Sequence, residues 1–321
     1  MNSFKSLSAS FESQFREVAK WENDSPLYDA SSYILKLGGK RVRPVLALLG
    51  NELFNDLEPV TYHVANAVEL FHNFTLVHDD IMDKAPLRRG KPTVHEQFGT
   101  NTALLSGDVL LVKAYEELAK VPVDRLQPIL SLFNRTAREV CEGQQMDMDF
   151  EKCAEVRFDK YLEMITLKTS VLLAASLQMG AIIGGAGAGN QDHLFAFGKN
   201  LGIAFQVQDD YLDAFGDPEK FGKVKGGDIL ANKKTFLLIH TMEIADQSTR
   251  KRMTELLNGD FPGKIEEVLE IYRQVGVDKW AHTLKESFFD RAMFHLEEIA
   301  VLSERKKDLA ELARMLLMRE N

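Results

Sequence analysis

The 321-residue chain has little cysteine, more acidic than basic residues, and no continuous apolar run in residues 1–20. Two cysteines, Cys141 and Cys153, cannot build a disulfide framework or a four-ligand zinc site, so we interpret them as reduced thiols. Lys and Arg total 39 against 48 Asp and Glu, and the net charge of −9 argues against broad binding to nucleic acid or anionic lipid. Residues 1–20 mix charged with isolated apolar residues, so we expect no secretory signal and predict a cytoplasmic protein.

Alternating runs of Val, Ile and Thr, low-complexity segments, Pro/Ser-rich linkers and internal repeats are also missing. Helical patterns fill the chain instead: Leu70, Phe74 and Val77 recur at steps of four and three within residues 60–82. Further helices are predicted over about 101–119, 124–150, 156–181, 191–215, 230–246 and 276–319. The sequence therefore predicts an all-α fold, one helical domain over residues 1–321.

The longest run without a charge covers residues 169–191 and contains 23 residues. That length is sufficient to cross a bilayer. The run contains Ser170 and Gln178, however, and ends in a Gly/Ala cluster over 184–189. We interpret it as a buried helix followed by a Gly-rich connection, and we expect no membrane insertion.

Two DDxxD motifs are the most informative feature, and they run from Asp79 to Asp83 and from Asp209 to Asp213. Random placement of the 22 Asp residues would give only about 0.1 such motifs in a chain of this length. On a helix, positions i and i+4 share a face, so the first and last Asp of each motif lie one above the other.

Both motifs stand at the ends of their predicted helices, because Pro86 ends the first near Lys84, and Gly216 and Pro218 end the second. The alternative to a binding site is a solvated acidic face. Like charges at i,i+4 cost about 0.2–0.5 kcal/mol, and carboxylates in a last helical turn cost about 0.3–1 kcal/mol each. Bound cations would reverse these effects. Carboxylates without a nearby His/Cys set suit a hard cation, above all Mg²⁺.

Basic residues are available to bind an anion beside such metals. The segment GGKRVRP over 38–44 supplies three cations, and RRGK over 88–91 follows the first motif in a predicted loop. Alone, paired arginines in a loop are more often solvated surface than a ligand site. No Walker motif, Rossmann fingerprint, HExxH motif, EF-hand loop or nucleophile triad competes with a diphosphate-binding interpretation.

Three segments together resemble the trans-isoprenyl diphosphate synthases, the polyprenyl synthetase family, over about residues 38–236. They are GGKRVRP, HNFTLVHDDIMD followed by RRG, and FQVQDDYLDAFGDPEKFGK followed by NKKT. The resemblance implies an all-α bundle around a deep central cavity, assembled as a homodimer. It also implies condensation of an allylic diphosphate with isopentenyl diphosphate, using Mg²⁺ at about three ions per active site.

The resemblance also implies roles for individual residues. Isopentenyl diphosphate would be bound by Lys40, Arg43, His72 and Arg89. The main metal ligands would be Asp79, Asp83 and Asp209, with Asp80, Asp210 and Asp213 nearby or acting through water. The allylic diphosphate would be bound by Arg88, Lys168, Lys223 and Lys233, and the oxygens of Thr169 and Gln206 would lie by the developing cation. The set expected to act in catalysis is Asp79, Asp83, Arg88, Lys168, Thr169, Gln206 and Asp209. His72 and His78 remain alternatives to the released diphosphate as the base.

Product length depends on residues upstream of the first motif. Phe71, Phe74 and Thr75 precede Asp79 by eight, five and four residues. Positions five and eight lie on the Asp79 face about 5 Å apart, where they could form the floor under a growing chain. In the family, an aromatic at position five alone resembles geranylgeranyl (C20) makers, and aromatics at four and five resemble farnesyl (C15) makers.

The sequence therefore favours a C20 product, with C15 as the alternative. A terpene cyclase and a non-catalytic helical subunit are more distant interpretations. The second DDxxD motif, the RRG segment and GGKRVRP favour chain elongation over both.

Overall fold

The computed structural model describes residues 4–21, 24–216, 226–259 and 262–317, and nearly all regular structure in these residues is helical. The helices are α1 (Phe4–Val18), α2 (Pro26–Lys36), α3 (Val42–Glu52), α4 (Thr61–Met82), α5 (Val94–Phe98), α6 (Thr100–Leu118), α7 (Val123–Lys152), α8 (Phe158–Ile165), α9 (Val171–Ile183), α10 (Ala188–Phe215), α11 (Gly227–Leu230), α12 (Phe236–Ile244), α13 (Gln247–Asn258), α14 (Lys264–Val275), α15 (Val277–Glu297) and α16 (Ser303–Leu317). A π-helical turn, Thr166–Ser170, joins α8 to α9, and two short antiparallel strands, β1 (Leu87–Arg88) and β2 (Lys91–Pro92), follow α4. The predicted all-α fold is confirmed.

Contacts within the chain define two compact units. The first unit comprises Met1–Arg135, Ala175–Phe195 and Ile299–Leu309, and the second comprises Thr136–Ala174, Ala196–Glu298 and Ala310–Asn321. The first Asp motif belongs to the first unit, and the second Asp motif belongs to the second. The single domain over residues 1–321 stays a prediction.

The uncharged run forms the buried helix that its composition predicts. The helical run Phe158–Ile183 is long and apolar enough to cross a membrane by length and composition alone, with a mean hydropathy of 1.4. In the structure, 67% of the most apolar 18-residue stretch of this run is buried, as in the core helices of soluble proteins. The run ends at Ile183, and Gly185 has a φ of +79°, so the Gly-rich segment connects α9 to α10 as predicted.

The prediction of one continuous helix over 276–319 is wrong, because the structure has two helices there, α15 and α16, with a break between them. At the break, the Ala300 N–H donates to Asn190 Oδ1 at 2.9 Å, and Ile299 is buried. These tertiary contacts take a backbone donor that a continuous helix would use internally. The helix predicted from residue 230 likewise begins later, at Phe236, after the short α11.

Candidate active site

The first Asp motif occupies the end of α4, as predicted. Asp79 and Asp80 lie in the last turn, and the N–H of Asp83 donates to the Asp79 carbonyl at 2.8 Å. Asp80 is buried, Asp79 is half-buried and Asp83 is exposed. The three carboxylates of the motif therefore differ in their access to a ligand.

Arg88 engages the buried carboxylate of this motif in a bidentate pair. Its Nε donates to Asp80 Oδ2 and its Nη2 donates to Asp80 Oδ1, both at 2.7 Å. The Asp80 side chain is 2% exposed and that of Arg88 is 25% exposed. Two parallel charge-assisted hydrogen bonds fix the guanidinium plane, so Asp80 orients Arg88.

The RRG segment, predicted to lie in a loop, forms the tight turn of a short hairpin. Leu87 pairs with Pro92, and the two residues at the turn, Arg89 and Gly90, have φ values of +53° and +73°. Positive φ at both central residues is typical of a type I′ turn, which matches the twist of paired strands. Thr93 Oγ1 donates to the Ala85 carbonyl at 2.8 Å and ties the hairpin to the end of α4. The hairpin therefore presents its two arginines from a defined backbone.

Four arginines of the first unit lie close enough to His72 for their charges to act on it. Arg43 Nη1 lies 3.3 Å from His72 Nε2, and a β-carbon on Gly39 would lie 3.1 Å from Arg89 Nη2, so the Arg89 guanidinium rests on the Gly39 backbone. Burial, followed by the arginine charges, lowers the pKa of His72 well below its ordinary value. The arginines responsible are Arg43, Arg88, Arg89 and Arg41, in that order. His72 is therefore neutral at pH 7.

The positive charge of Arg43 is only partly compensated by nearby acidic groups. Burial lowers the pKa of Arg43, and Glu69 only partly opposes this effect. Within the part of the chain that the structure describes, the buried Nε of Arg43 has no hydrogen-bond partner. A half-buried cation with an unused donor, beside a neutral imidazole, forms a site suited to an anion.

The neighbouring cation Arg41 has a different role. It adopts a left-handed backbone with a φ of 50°, and its side chain is 3% exposed. Its guanidinium donates to the carboxylates of Glu12 and Glu69 and to the Leu35 carbonyl. Arg41 therefore anchors the segment, whereas Lys40 beside it is exposed.

The second Asp motif occupies the end of α10, and its middle carboxylate is again held by the protein. Asp210 accepts from the Tyr161 hydroxyl at 2.5 Å and from Gln206 Nε2 at 2.8 Å. Burial raises the pKa of Asp210 to about 7; Lys233 acts in the opposite direction, and Asp228 adds to the rise. Asp209 is half-buried.

Asp213 anchors the chain where it returns to the motif. Its Oδ2 accepts the N–H of Asp228 at 2.9 Å, and its carbonyl accepts the N–H of Gly226 at 2.8 Å. The Asp228 carbonyl in turn accepts the N–H of Lys233 at 2.9 Å. The predicted ligand Lys223 lies outside the described residues.

The π-helical turn carries Lys168 and Thr169. Lys168 Nζ donates to Asp147 Oδ2 at 2.5 Å, and Thr169 Oγ1 lies 3.4 Å from Gln206 Oε1. A β-carbon on Gly143 would lie 2.3 Å from the Lys168 backbone nitrogen, so α7 packs directly on the turn. π-Helical turns inside helices are frequent at functional sites. This turn supplies two of the predicted site residues together.

Two of the three residues predicted to set chain length, Phe71 and Phe74, form an aromatic row on α4. The Phe71 ring, 1% exposed, contacts the rings of Phe74 and Phe133 at centroid distances of 5.5 and 5.3 Å. Phe74 contacts His78 at 4.7 Å. Thr75 Oγ1 donates to the His72 carbonyl at 2.8 Å. Phe74 therefore stands between buried Phe71 and the motif, as the helical spacing predicts.

The polyprenyl synthetase family profile matches residues 24–275. The chain belongs to the polyprenyl synthetase family. It is 42% identical over 250 residues to a short chain isoprenyl diphosphate synthase of Methanocaldococcus jannaschii, over 78% of this chain and 76% of that protein. A geranylgeranyl diphosphate synthase of Sulfolobus acidocaldarius is 35% identical over 311 residues, 92% and 94% of the two chains. A crystal structure of a geranylgeranyl pyrophosphate synthase is similar over both whole chains, with a TM-score of 0.94 and 42% identity. The family resemblance of the motifs is confirmed.

The donor chemistry of this polyprenyl synthetase fits Mg²⁺. Each motif offers carboxylate oxygens, and Mg²⁺ prefers such oxygens while retaining several waters or phosphate oxygens. Among residues 4–21, 24–216, 226–259 and 262–317, no group of three or more His, Cys, Asp or Glu side chains converges as a ready-made cage. At each motif by itself, one or two carboxylates completed by water or phosphate oxygens are the coordination that these residues can support.

Motif reasoning missed Asp147 and Tyr161. Asp147 pairs with Lys168 across 21 residues of sequence, and Tyr161 pairs with Asp210 across 49. Their only sequence signals are an acidic residue and a tyrosine within otherwise ordinary helical patterns. Contacts between residues so far apart in sequence leave no periodic pattern in it, so only the fold identifies these two residues.

Proposed function

We propose that this chain is a Mg²⁺-dependent prenyltransferase that condenses an allylic diphosphate with isopentenyl diphosphate. The supporting observation is the cluster of arginines around neutral His72, next to a carboxylate motif and matched in the second unit by another carboxylate motif. Geranylgeranyl diphosphate (C20) is the favoured product, because two helical turns before Asp79 carry aromatic rings and several relatives bear that name. Farnesyl diphosphate (C15) is the alternative product. Dimethylallyl, geranyl and farnesyl diphosphates are the candidate primers.

The cations of the first unit are proposed to hold isopentenyl diphosphate. Arg43 and Arg89 would bind its oxygens through guanidinium forks, and exposed Lys40 would add a point charge. His72 can donate one ring hydrogen without adding charge. His72 is half-buried near several arginines and has a lowered pKa, so it is a poor proton acceptor. We therefore assign it to binding rather than to the proton transfer.

The carboxylates and remaining cations are proposed to act on the allylic diphosphate. Bound Mg²⁺ would stabilise the departing diphosphate, and its proposed ligands are Asp79, Asp83 and Asp209, with Asp80, Asp210 and Asp213 in support. Arg88, Lys168, Lys223 and Lys233 are proposed to bind the same group. The oxygens of Thr169 and Gln206 would then lie near the allylic cation and favour its positive charge.

A chain-length assay tests this function. The chain is incubated with labelled isopentenyl diphosphate, Mg²⁺ and each of the three primers, and the products are separated by length. Asp79→Ala and Asp209→Ala are expected to abolish turnover while their circular dichroism spectra match the wild type. Absence of any elongated product from the wild type with every primer would refute the proposal.

A homodimer is part of the proposal, supported by an uncovered apolar face on α6. Leu104, Leu105, Val112 and Tyr115 are 43%, 57%, 58% and 39% exposed. Exposed apolar residues spaced along one helix are typical of a protein interface. Light scattering on Leu105→Asp/Val112→Asp is expected to give a monomer mass where the wild type gives twice that mass.

A cytoplasmic location is also proposed. Cys141 and Cys153 are both exposed and form no disulfide, which suits a reducing compartment. Quantitative thiol labelling of the protein purified under native conditions is expected to find both thiols reactive.

A further inference from the structure

Tyr161 lies directly behind the second Asp motif. It belongs to α8, is 2% exposed, and its hydroxyl donates to Asp210 Oδ2 at 2.5 Å. The other carboxylate oxygen, Asp210 Oδ1, accepts from Gln206 Nε2 at 2.8 Å. Both oxygens of one buried carboxylate are thus engaged by protein donors.

The hydrogen bond to Asp210 fixes the orientation of the Gln206 side chain. An amide presents donors at one end and an acceptor at the other, so a nitrogen that faces Asp210 turns the oxygen away from it. That oxygen lies 3.4 Å from Thr169 Oγ1 on the π-helical turn. The order of groups is therefore Tyr161, Asp210, Gln206 and Thr169.

The Tyr161 hydroxyl is the donor in this hydrogen bond, and Asp210 Oδ2 is its acceptor. A phenylalanine at this position would fill the same space, because the ring already packs near Phe236. It would leave one buried carboxylate oxygen without its donor.

We propose that Tyr161 is a positioning residue for prenyl transfer, whose hydroxyl holds Asp210 in the orientation that aims the Gln206 oxygen beside Thr169. This inference rests on the proposed function, in which these two oxygens lie near the allylic cation. Tyr161 acts through Asp210 and Gln206 and does not touch the substrate. Its removal lowers turnover without weakening isopentenyl diphosphate binding, because the residues assigned to that substrate lie in the first unit.

The test is steady-state kinetics of Tyr161→Phe beside the wild type and Tyr62→Phe. Tyr62 is a matched control, since its hydroxyl makes a 2.6 Å hydrogen bond with Ser10 Oγ in the first unit and it has no assigned role. We expect Tyr161→Phe to lower kcat about 10- to 100-fold, with KM for isopentenyl diphosphate and the half-saturating Mg²⁺ concentration unchanged within about twofold. Tyr62→Phe is expected to keep the wild-type kcat.

Non-additivity separates positioning from a general loss of packing. Gln206→Leu is expected to lower kcat at least as much as Tyr161→Phe, and the double variant no further than Gln206→Leu alone. A multiplicative loss in the double variant would overturn the proposal. So would an unchanged kcat in folded Tyr161→Phe, or recovery of its kcat at high Mg²⁺, which would make the residue a support for metal binding.

If Tyr161→Phe does not fold, Tyr161→Phe/Asp210→Leu replaces both partners by apolar groups and avoids the unpaired carboxylate. That variant is expected to fold and to keep the low kcat, and wild-type turnover in it would overturn the proposal. A wild type that elongates no primer would refute the proposed function itself. This result is distinct, because every effect above is measured against an active wild type.

Discussion

The adjacent cations Lys40 and Arg41 in GGKRVRP are predicted to have different roles. Arg41 stabilises the fold, and Lys40 binds the ligand. The Arg41 side chain is 3% exposed and holds the carboxylates of Glu12 and Glu69, of which Glu69 is 5% exposed. Arg41→Met would leave two carboxylates without their cation, and breaking a buried pair from one side costs about 3–5 kcal/mol. Since unfolding entropy is about 2.1 cal/mol/K per residue, we expect a fall in melting temperature of about 4–8 °C.

The matched variant is Lys40→Met, which removes the same charge from an exposed side chain. Its free energy of unfolding is expected to stay within about 0.5 kcal/mol of the wild type. Its KM for isopentenyl diphosphate is expected to rise about tenfold, because one diphosphate contact is lost. Calorimetry and steady-state kinetics on both variants provide the test. Equal melting temperatures for Arg41→Met and the wild type would refute the assignment of Arg41 as an anchor.

Three further predictions concern chain length, packing and pH. Phe74→Ala is expected to lengthen the product by one C5 unit, because Phe71 lies three residues or about 4.5 Å further along α4; an unchanged product distribution on reversed-phase chromatography would remove Phe74 as the floor. Gly143→Ala is expected to cost about 1–3 kcal/mol in denaturant unfolding and to lower kcat, because the new methyl meets the Lys168 backbone; wild-type stability would contradict that packing. His72 has a lowered folded pKa, so its contribution to stability is present above the unfolded value of about 6.5 and is lost as pH falls below it. Melting temperatures of the wild type and His72→Gln between pH 5 and 7.5 should show a shallower acid slope in the variant, and parallel slopes would contradict this assignment.

Local patterns predicted the elements that carry the motifs. The i,i+4 spacing and the following Pro86 placed Asp79 and Asp83 at the end of a helix, and α4 ends at Met82. They did not predict the break before Ser303, because the side chain of Asn190 takes a helical N–H there, 110 residues away in sequence.

The candidate site was predictable where charge and spacing coincide in the sequence. The two basic segments predicted a cluster of cations. They did not predict which of these cations stabilises the fold and which is available to a ligand. Arg41 and Arg43 look alike in a string of letters, and only the positions of Glu12 and Glu69 distinguish them. Tyr161 and Asp147 contribute through contacts between distant helices, which no local pattern records.

The bidentate pair of Asp80 with Arg88 alters the formal charge that the first motif presents. Three carboxylates and one guanidinium sum to a charge of −2, so one divalent ion at Asp79 and Asp83 would bring the whole group to neutrality. A neutral group does not repel an incoming polyanion at long range. Without the Arg88 guanidinium, the same three carboxylates and one divalent ion would keep a net charge of −1 facing the substrate. The ion pair therefore determines the net charge at the motif as well as the orientation of the Arg88 side chain.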